Sequence, residues 1–133
     1  MITKMSHVLI WVKNQQEALE FYRDKLGFEV DTDATMGPGF RWLTMKMKDQ
    51  PGFEIILMEP NPGMMLDEES AAQLRALIDK GVLGGGVFET KDIHKTCDRL
   101  NQLPELSFIT VAVPHDCSLG GPLNSTPRAF SSS

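Results

Sequence analysis

The alternation of apolar and polar residues changes period several times along the chain, and each change predicts a new element. Residues 6–12, SHVLIWV, alternate with period two and predict a strand with apolar side chains on both faces. Residues 14–28 switch to helical spacing, with Asn14 as the predicted N-cap and Gly27 just beyond the last turn. Three further strands are predicted at 28–36, 40–48 and 53–60. The order of the first part is therefore β, α, β, β, β.

The same order of elements begins again after a linker that contains Pro and Gly. The predicted elements are a helix at 67–81, a strand at Val87–Thr90 entered through three glycines, an Asp-capped helix at 92–103 and a strand at 105–113. Sliding the chain on itself by 78 residues aligns the two strand, Lys, cap, helix patterns and places Gly85 under His7. Residues 114–133 have loop composition and no alternating segment, which predicts a second module without its last strands.

Composition and charge limit the class of protein. A chain of 133 residues with 41% hydrophobic residues has the size of one globular domain. The formal net charge of −5, with no Lys/Arg cluster in the sequence, argues against a nucleic-acid partner. The longest apolar run, residues 8–12, is far below the roughly 20 residues of a membrane helix, and Cys97 and Cys117 lack CxxC spacing. We therefore expect a cytoplasmic protein with reduced thiols and no membrane partner.

A resemblance to the vicinal oxygen chelate superfamily is strongest in residues 7–30, HVLIWVKNQQEALEFYRDKLGFEV. This superfamily includes glyoxalase I, bleomycin-binding proteins and extradiol dioxygenases. The most specific part is FYRDKLGF, an aromatic pair followed by a Leu-Gly-Phe exit from the helix. Because RWLTM, FEIILMEP and GGGVFETKDI resemble the segments that follow in the family, the resemblance covers residues 5–108.

The resemblance implies a fold and an assembly. The implied fold is α+β, with paired βαβββ modules that form a curled mixed sheet around a cleft and a second module that is incomplete. The expected parts are module one at 5–60, a linker and helix at 61–82, module two at 83–113 and an irregular tail at 114–133. An incomplete module leaves strand edges exposed, and members of the superfamily often complete their sheets between subunits, so a homodimer is expected.

A metal site is also implied, with an incomplete set of ligands. In the metal-using members the ligands come from the first and last strands of each module, which in module one correspond to His7 and Glu54. Imidazole and carboxylate donors suit a divalent Zn, Ni, Fe or Mn ion. Module two has Gly85 where the matching His would stand and shows no final-strand Glu. Taken alone, His7 is also compatible with a hydrogen-bonded strand histidine and Glu54 with a solvent-facing carboxylate.

Aromatic, Met and charged side chains are expected to line the cleft. The predicted cleft residues are Trp11, Arg41, Trp42, Met45, Met58 and Glu89. The aromatic and Met side chains would hold an apolar substrate, while Arg41 would meet an anion and Glu89 would offer a carboxylate. The alternative for most of them is an ordinary core position, with Arg41 and Glu89 in solvent.

The implied function is the binding of a small organic molecule in the cleft. With a divalent metal on His7 and Glu54 the protein would be a lyase-type enzyme, the metal acting as a Lewis acid on two adjacent substrate oxygens. The missing ligands of module two favour an alternative, a metal-free protein that sequesters an aromatic or amphiphilic compound such as an antibiotic. A third interpretation is an altered ending that keeps the fold without the activity.

Overall fold

The structure, a computed structural model, describes residues 1–83 and 88–101. A first compact unit covers Met1–Asp79, and a second begins at Lys80. The elements in chain order are β1 (His7–Trp11), α1 (Gln15–Glu20), a π-helical stretch (Phe21–Lys25), β2 (Glu29–Thr35), β3 (Arg41–Lys46), β4 (Glu54–Met58), α2 (Glu68–Asp79) and α3 (Ile93–Asn101). The predicted βαβββ order of the first part is confirmed.

The four strands form one mixed sheet in the order β1-β4-β3-β2. β1 and β4 are parallel, whereas β3 is antiparallel to both β4 and β2. The parallel pairing puts His7 opposite Glu54 and Trp11 opposite Met58. Because side chains alternate along a strand, the side chains of all four residues belong to one face of the sheet. Within the described residues the sheet is open, and the predicted mixed α+β fold is confirmed.

The opposite face of the sheet carries the core of the first unit. α1 packs on β4, and the π-helical stretch packs on β2. The ring of Tyr22 is 1% exposed and stacks on Phe28, with ring centroids 5.2 Å apart. This burial raises the pKa of the Tyr22 phenol well above its ordinary value. Other buried core side chains are Ile10, Val12, Leu19, Leu43, Met45, Ile55 and Leu57.

Helix ends are set by local hydrogen bonds that the sequence predicted. The side chains of Asn14, Asp67 and Asp92 each accept a hydrogen bond from the backbone N–H three residues later. Each bond satisfies one of the free N–H groups in the first turn of a helix. Gly27 has a φ of +80°, the left-handed conformation in which a helix commonly ends. Three predicted caps and one predicted terminus are thereby confirmed.

The pairing of β2 with β3 contains a shift in register between Val30 and Thr32, as at a β-bulge. The backbone N–H of Thr32 donates to Oγ1 of Thr44 at 3.1 Å. Thr44 Oγ1 in turn donates to Oε1 of Glu54 at 2.8 Å. Thr44 is 1% exposed. Its buried hydroxyl group therefore accepts a hydrogen bond from the N–H at the irregular point of β2 and donates one to Glu54, a predicted metal ligand.

The described part of the second unit corrects one predicted element. Residues 88–90 have no regular secondary structure, so the strand predicted at Val87–Thr90 is wrong over these residues. The reason is local: Thr90 Oγ1 accepts from the N–H of Asp92 at 3.4 Å and bonds the hydroxyl of Thr96 at 2.8 Å, a turn that leads into α3. The helix predicted at 92–103 is confirmed over the described residues Ile93–Asn101, which form α3.

The remaining predictions for the second module fall on residues that the structure does not describe. Gly85, the strand at 105–113 and the tail at 114–133 lie outside the described residues. None of the helices in the described ranges is long and apolar enough to cross a membrane.

Candidate functional site

The two predicted metal ligands lie side by side at one end of the sheet. His7 begins β1 and Glu54 begins β4, and the parallel register makes them direct cross-strand partners. His7 Nε2 lies 2.9 Å from Glu54 Oε2. Their side chains are 35% and 22% exposed, so the pair is reached by solvent but partly enclosed. The structure therefore brings together two residues that are far apart in the chain.

Neighbouring hydroxyl groups hold the remaining polar atoms of this pair. The Ser6 hydroxyl lies 2.7 Å from Nδ1 of His7, and the Thr44 hydroxyl donates to Oε1 of Glu54 at 2.8 Å. The backbone N–H of Glu54 also donates to the carbonyl of Ser6 at 2.9 Å. Because Nδ1 of His7 and Oε1 of Glu54 contact these hydroxyl groups, the orientation of both side chains is fixed, and Nε2 and Oε2 face each other.

Charged side chains of β2 and β3 border this polar end of the sheet. Lys46 Nζ lies 3.0 Å from Asp31, and Lys48 Nζ lies 3.3 Å from Glu29. The hydrogen bond from Lys46 lowers the pKa of Asp31. Asp31 in turn raises the pKa of Lys46. Lys46 is the cross-strand neighbour of Glu54, so charges of both signs lie beside the His7–Glu54 pair.

The donor atoms of the His7–Glu54 pair are of the types that bind a divalent metal. Two protein donors are fewer than a catalytic metal site ordinarily has. The two atoms in contact are an imidazole nitrogen and a carboxylate oxygen, and both types bind first-row metals. Catalytic zinc sites ordinarily have three protein ligands. In the part of the chain that is described, no group of three or more His, Cys, Asp or Glu side chains could hold a metal ion.

A pocket of about 340 Å³ lies at the other end of the sheet, where β1 and β4 end and β3 begins. Trp11 lies four positions after His7 on β1, about 13 Å away at the rise of an extended strand. The apolar lining includes Trp11, Phe40, Met58, Met64, Met65 and Leu66, together with Pro38 and Pro62. The pocket is therefore distinct from the polar pair, although both belong to the same strands.

The polar wall of the pocket is held by hydrogen bonds within the protein. Glu59 accepts from the backbone N–H of Gln15 at 2.8 Å and from Nδ2 of Asn61 at 3.0 Å. Gln15, only 6% exposed, donates from Nε2 to the carbonyls of Arg41 and Leu57 at 2.9 and 2.7 Å. These bonds tie the start of α1 to the start of β3 and the end of β4, so the protein itself holds the polar wall in place.

Arg41 lines the pocket, but its nearest anion belongs to the protein. Its Nε and Nη2 atoms donate to the two carboxylate oxygens of Asp33 at 2.8 and 2.7 Å. This bidentate contact lowers the pKa of Asp33 and raises that of Arg41. The sequence suggested an anionic group of a substrate at Arg41; in the structure Asp33 occupies two of its N–H donors.

Three of the six predicted cleft residues line the pocket, and three do not. Trp11, Arg41 and Met58 line the pocket together. Met45 is corrected: it pairs with Ile55 on the opposite face and is 1% exposed in the core. Strand alternation explains the difference, because the neighbouring Thr44 takes the face that carries Glu54.

The other two predicted cleft residues do not line the pocket. Trp42 is half-buried on β3 opposite Ala34. Glu89 is exposed in the irregular segment before α3, in the second unit. Sequence reasoning also missed Phe40, which lies directly before β3, and Met64 and Met65, which lie in a loop without a periodic pattern. The available signal was the position of these Gly- and Pro-containing loops next to strand ends.

Comparison with known proteins identifies the family. The model of the Glyoxalase/Bleomycin resistance protein/Dioxygenase superfamily matches residues 4–104. The chain belongs to this superfamily. The predicted resemblance is thus confirmed, and the match covers every helix and strand of the first unit as well as α3.

Two proteins of Bacillus subtilis (strain 168) are similar in sequence to this chain. The uncharacterised protein YurT is 36% identical over 93 residues, which is 70% of this chain and 68% of YurT. The uncharacterised protein YetH is 33% identical over 100 residues, 75% of this chain and 72% of YetH.

Two solved structures extend the comparison to the fold. The crystal structure of UcmS2 is 45% identical, has a TM-score of 0.69 and covers 77% of this chain and 75% of its own. TnmS3, an antibiotic binding protein from Streptomyces sp. CB03234, is 25% identical with a TM-score of 0.54, covering 76% of this chain and 70% of its own. The superfamily fold is therefore shared with a protein that is described as binding an antibiotic.

Proposed function

We propose that this chain binds a small, largely apolar organic molecule in the pocket at the ends of β1 and β4. The observation that carries the proposal is the lining of the pocket, in which Trp11, Phe40 and Met58 meet the loop methionines Met64 and Met65. Its volume of about 340 Å³ lies in the range of small-molecule sites, about 300–1,000 Å³. Aromatic rings supply flat apolar contacts, and flexible Met side chains adapt to ligands of different shape.

The polar side chains of the pocket already have hydrogen-bond partners within the protein, which favours an apolar ligand over an anionic one. Arg41 is paired with Asp33, and both oxygens of Glu59 accept hydrogen bonds from protein donors. A ligand therefore meets polar atoms whose main hydrogen bonds are already made, so apolar contact is the main source of binding energy. The likeness to TnmS3, described as an antibiotic binding protein, supports this class of ligand.

Two expectations from the sequence are part of the proposal. A homodimer is supported by the sheet order, because β1 and β2 are the outer strands of the described sheet and outer strands offer unpaired backbone groups. The cytoplasmic location that the composition predicts is also part of the proposal.

The two tryptophans of the chain provide a matched test of the pocket. Trp11 lines it and Trp42 does not. We expect phenyl- and cyclohexyl-substituted alcohols, which do not absorb tryptophan emission, to change the fluorescence of Trp11 in a Trp42→Phe variant. The same ligands should leave Trp42 unchanged in a Trp11→Phe variant, with binding followed there by calorimetry.

A charged substitution at the entrance of the pocket tests how strongly the lining contributes to ligand affinity. Met65→Asp should weaken binding about tenfold, since an apolar ligand must then desolvate a carboxylate. Met36→Asp is the control, because Met36 is 59% exposed and outside the lining. Equal affinities of both variants, or equal changes at Trp11 and Trp42, would argue against this pocket as the binding site.

A divalent-metal enzyme is the second candidate, favoured by the contact of His7 with Glu54 at 2.9 Å. These residues would hold the ion, which supplies Lewis acidity toward two adjacent substrate oxygens. Ser6 and Thr44 would orient the two ligands through the hydrogen bonds already described. A general base would have to come from another residue, because Glu54 cannot be ligand and base at once.

Metal content separates the two candidates. For the enzyme we expect about one equivalent of Zn, Ni, Fe or Mn in the purified protein, lost in His7→Ala. His94→Ala is the matched control, because His94 is exposed on α3 and distant in sequence from the pair. A metal-free protein that still binds apolar ligands, measured by elemental analysis and titration, would leave only the binding function.

A further inference from the structure

We propose that Met64 and Met65 are an oxidation-sensitive entrance to the pocket: peroxide converts both to sulfoxides, which weakens binding of an apolar ligand. The inference rests on the proposed binding function and adds to it a modification site that regulates the pocket. It follows from the exposure of the two side chains, their place in the lining and the way their loop is anchored.

Exposure separates the methionines of the pocket into two classes. Met64 is 79% exposed and Met65 is 54% exposed, whereas Met58, in the same lining, is 4% exposed. Met45, in the core, is 1% exposed. Since oxidants reach exposed thioethers first, a low dose of peroxide modifies the mouth of the pocket while its base stays intact.

The loop that carries both methionines is fixed at its base. Asn61 accepts a hydrogen bond from Nη2 of Arg75 at 2.6 Å and donates one to Glu59 at 3.0 Å. Two residues further on, the N–H of Gly63 donates to the carbonyl of Leu66 at 2.9 Å, with a φ of +152° at Gly63. None of these bonds uses a sulfur atom, so oxidation changes the polarity of the entrance without removing its anchors.

The chemical step is a two-electron oxygen transfer. The thioether sulfur attacks one oxygen of hydrogen peroxide, the O–O bond breaks, an S–O bond forms and the second oxygen leaves as water after protonation. Sulfur is oxidised to the sulfoxide while peroxide is reduced. The new sulfoxide oxygen is a strong acceptor that an apolar ligand cannot satisfy, so we expect binding to weaken about tenfold. Methionine sulfoxide reductases reverse this step.

The test uses the full chain and phenylnaphthylamine, a neutral aromatic dye whose fluorescence rises in apolar sites. The protein is treated with increasing hydrogen peroxide, its methionines are mapped by peptide mass spectrometry, and dye affinity is measured at each dose. We expect sulfoxide at Met64 and Met65 before Met45 and Met58, a fall in affinity of about tenfold as both are converted, and recovery after reductase treatment.

Paired double variants separate these two sites from the other exposed methionines. Met64→Leu/Met65→Leu should have the same dye affinity before and after peroxide. Met5→Leu/Met36→Leu, which replaces residues 72% and 59% exposed outside the lining, should lose affinity as the unmodified chain does. Equal sensitivity of both double variants overturns the inference.

Two further outcomes are distinct. Recovery with dithiothreitol alone assigns the loss to the cysteine thiols and overturns the inference, because that reagent reduces disulfides but leaves sulfoxides. Affinity that survives full oxidation of Met64 and Met65 overturns it as well, while the proposed function stands. A protein that binds neither the dye nor the alcohols before oxidation removes the proposed function and this inference together.

Discussion

Leu57→Ala is expected to lower the free energy of unfolding by about 3 kcal/mol. Leu57 is 0% exposed and lies on β4, an inner strand between β1 and β3. Its parallel partner is Ile10, which is 5% exposed in the same core. Truncation removes apolar contacts and leaves a cavity that two flanking strands keep from collapsing. Chemical denaturation followed by circular dichroism measures the change.

Leu77→Ala is the matched control, because it makes the same substitution on α2 at a residue that is 37% exposed. A partly exposed side chain loses less contact and leaves an opening that water fills, so the cost should stay below about 1 kcal/mol. Similar losses for Leu57→Ala and Leu77→Ala would contradict the assignment of Leu57 to the centre of the core.

Thr44→Val is expected to cost about 2 kcal/mol of stability, although the two side chains have nearly the same shape. Valine cannot accept from the backbone N–H of Thr32 or donate to Glu54, the two bonds that the Thr44 hydroxyl makes at 3.1 and 2.8 Å. The N–H at the register shift of β2 then has no partner from this side chain, and leaving such a group unsatisfied costs about 1–3 kcal/mol.

Two variants test whether the hydroxyl itself is responsible. Thr44→Ser keeps the hydroxyl and should retain most of the stability. Thr32→Val makes the same change on the residue opposite Thr44, where the hydroxyl has only a 3.4 Å contact to Asp31, so its cost should be below about 1 kcal/mol. If Thr44→Val proved no more costly than Thr32→Val, the hydroxyl would have no special role at the bulge.

The arrangement of the sheet separates the proposed binding pocket from the His7–Glu54 pair. The His7–Glu54 pair stands at the start of two parallel strands, and the pocket at Trp11 and Met58 stands at their end. Hydrogen bonds set the geometry of the pair, whereas apolar side chains form the pocket. A substitution at one end of the sheet should therefore have no direct effect on the other end. We expect substitutions at His7 to leave apolar ligand binding intact, the outcome measured together with the metal content.

Local features of the fold could be predicted from the sequence. The change from period two to helical spacing identified β1 and α1, and short-range capping explained why Asn14 and Asp67 begin helices. These signals depend on residues within a few positions of each other, so no tertiary information is needed. The strand predicted at Val87–Thr90 was wrong over the described residues 88–90 for a related reason: apolar content favoured a strand, but the Thr90 hydroxyl stabilises a turn before α3.

The composition of the site depended on the tertiary structure. Family resemblance suggested His7 and Glu54 as partners, but their 2.9 Å contact follows from the parallel register of β1 and β4. Met64 and Met65 were missed because loop residues have no period, and they join the pocket only where strand ends meet loops. Sequence patterns determined the elements and the family, whereas strand order and register decided which distant side chains became neighbours.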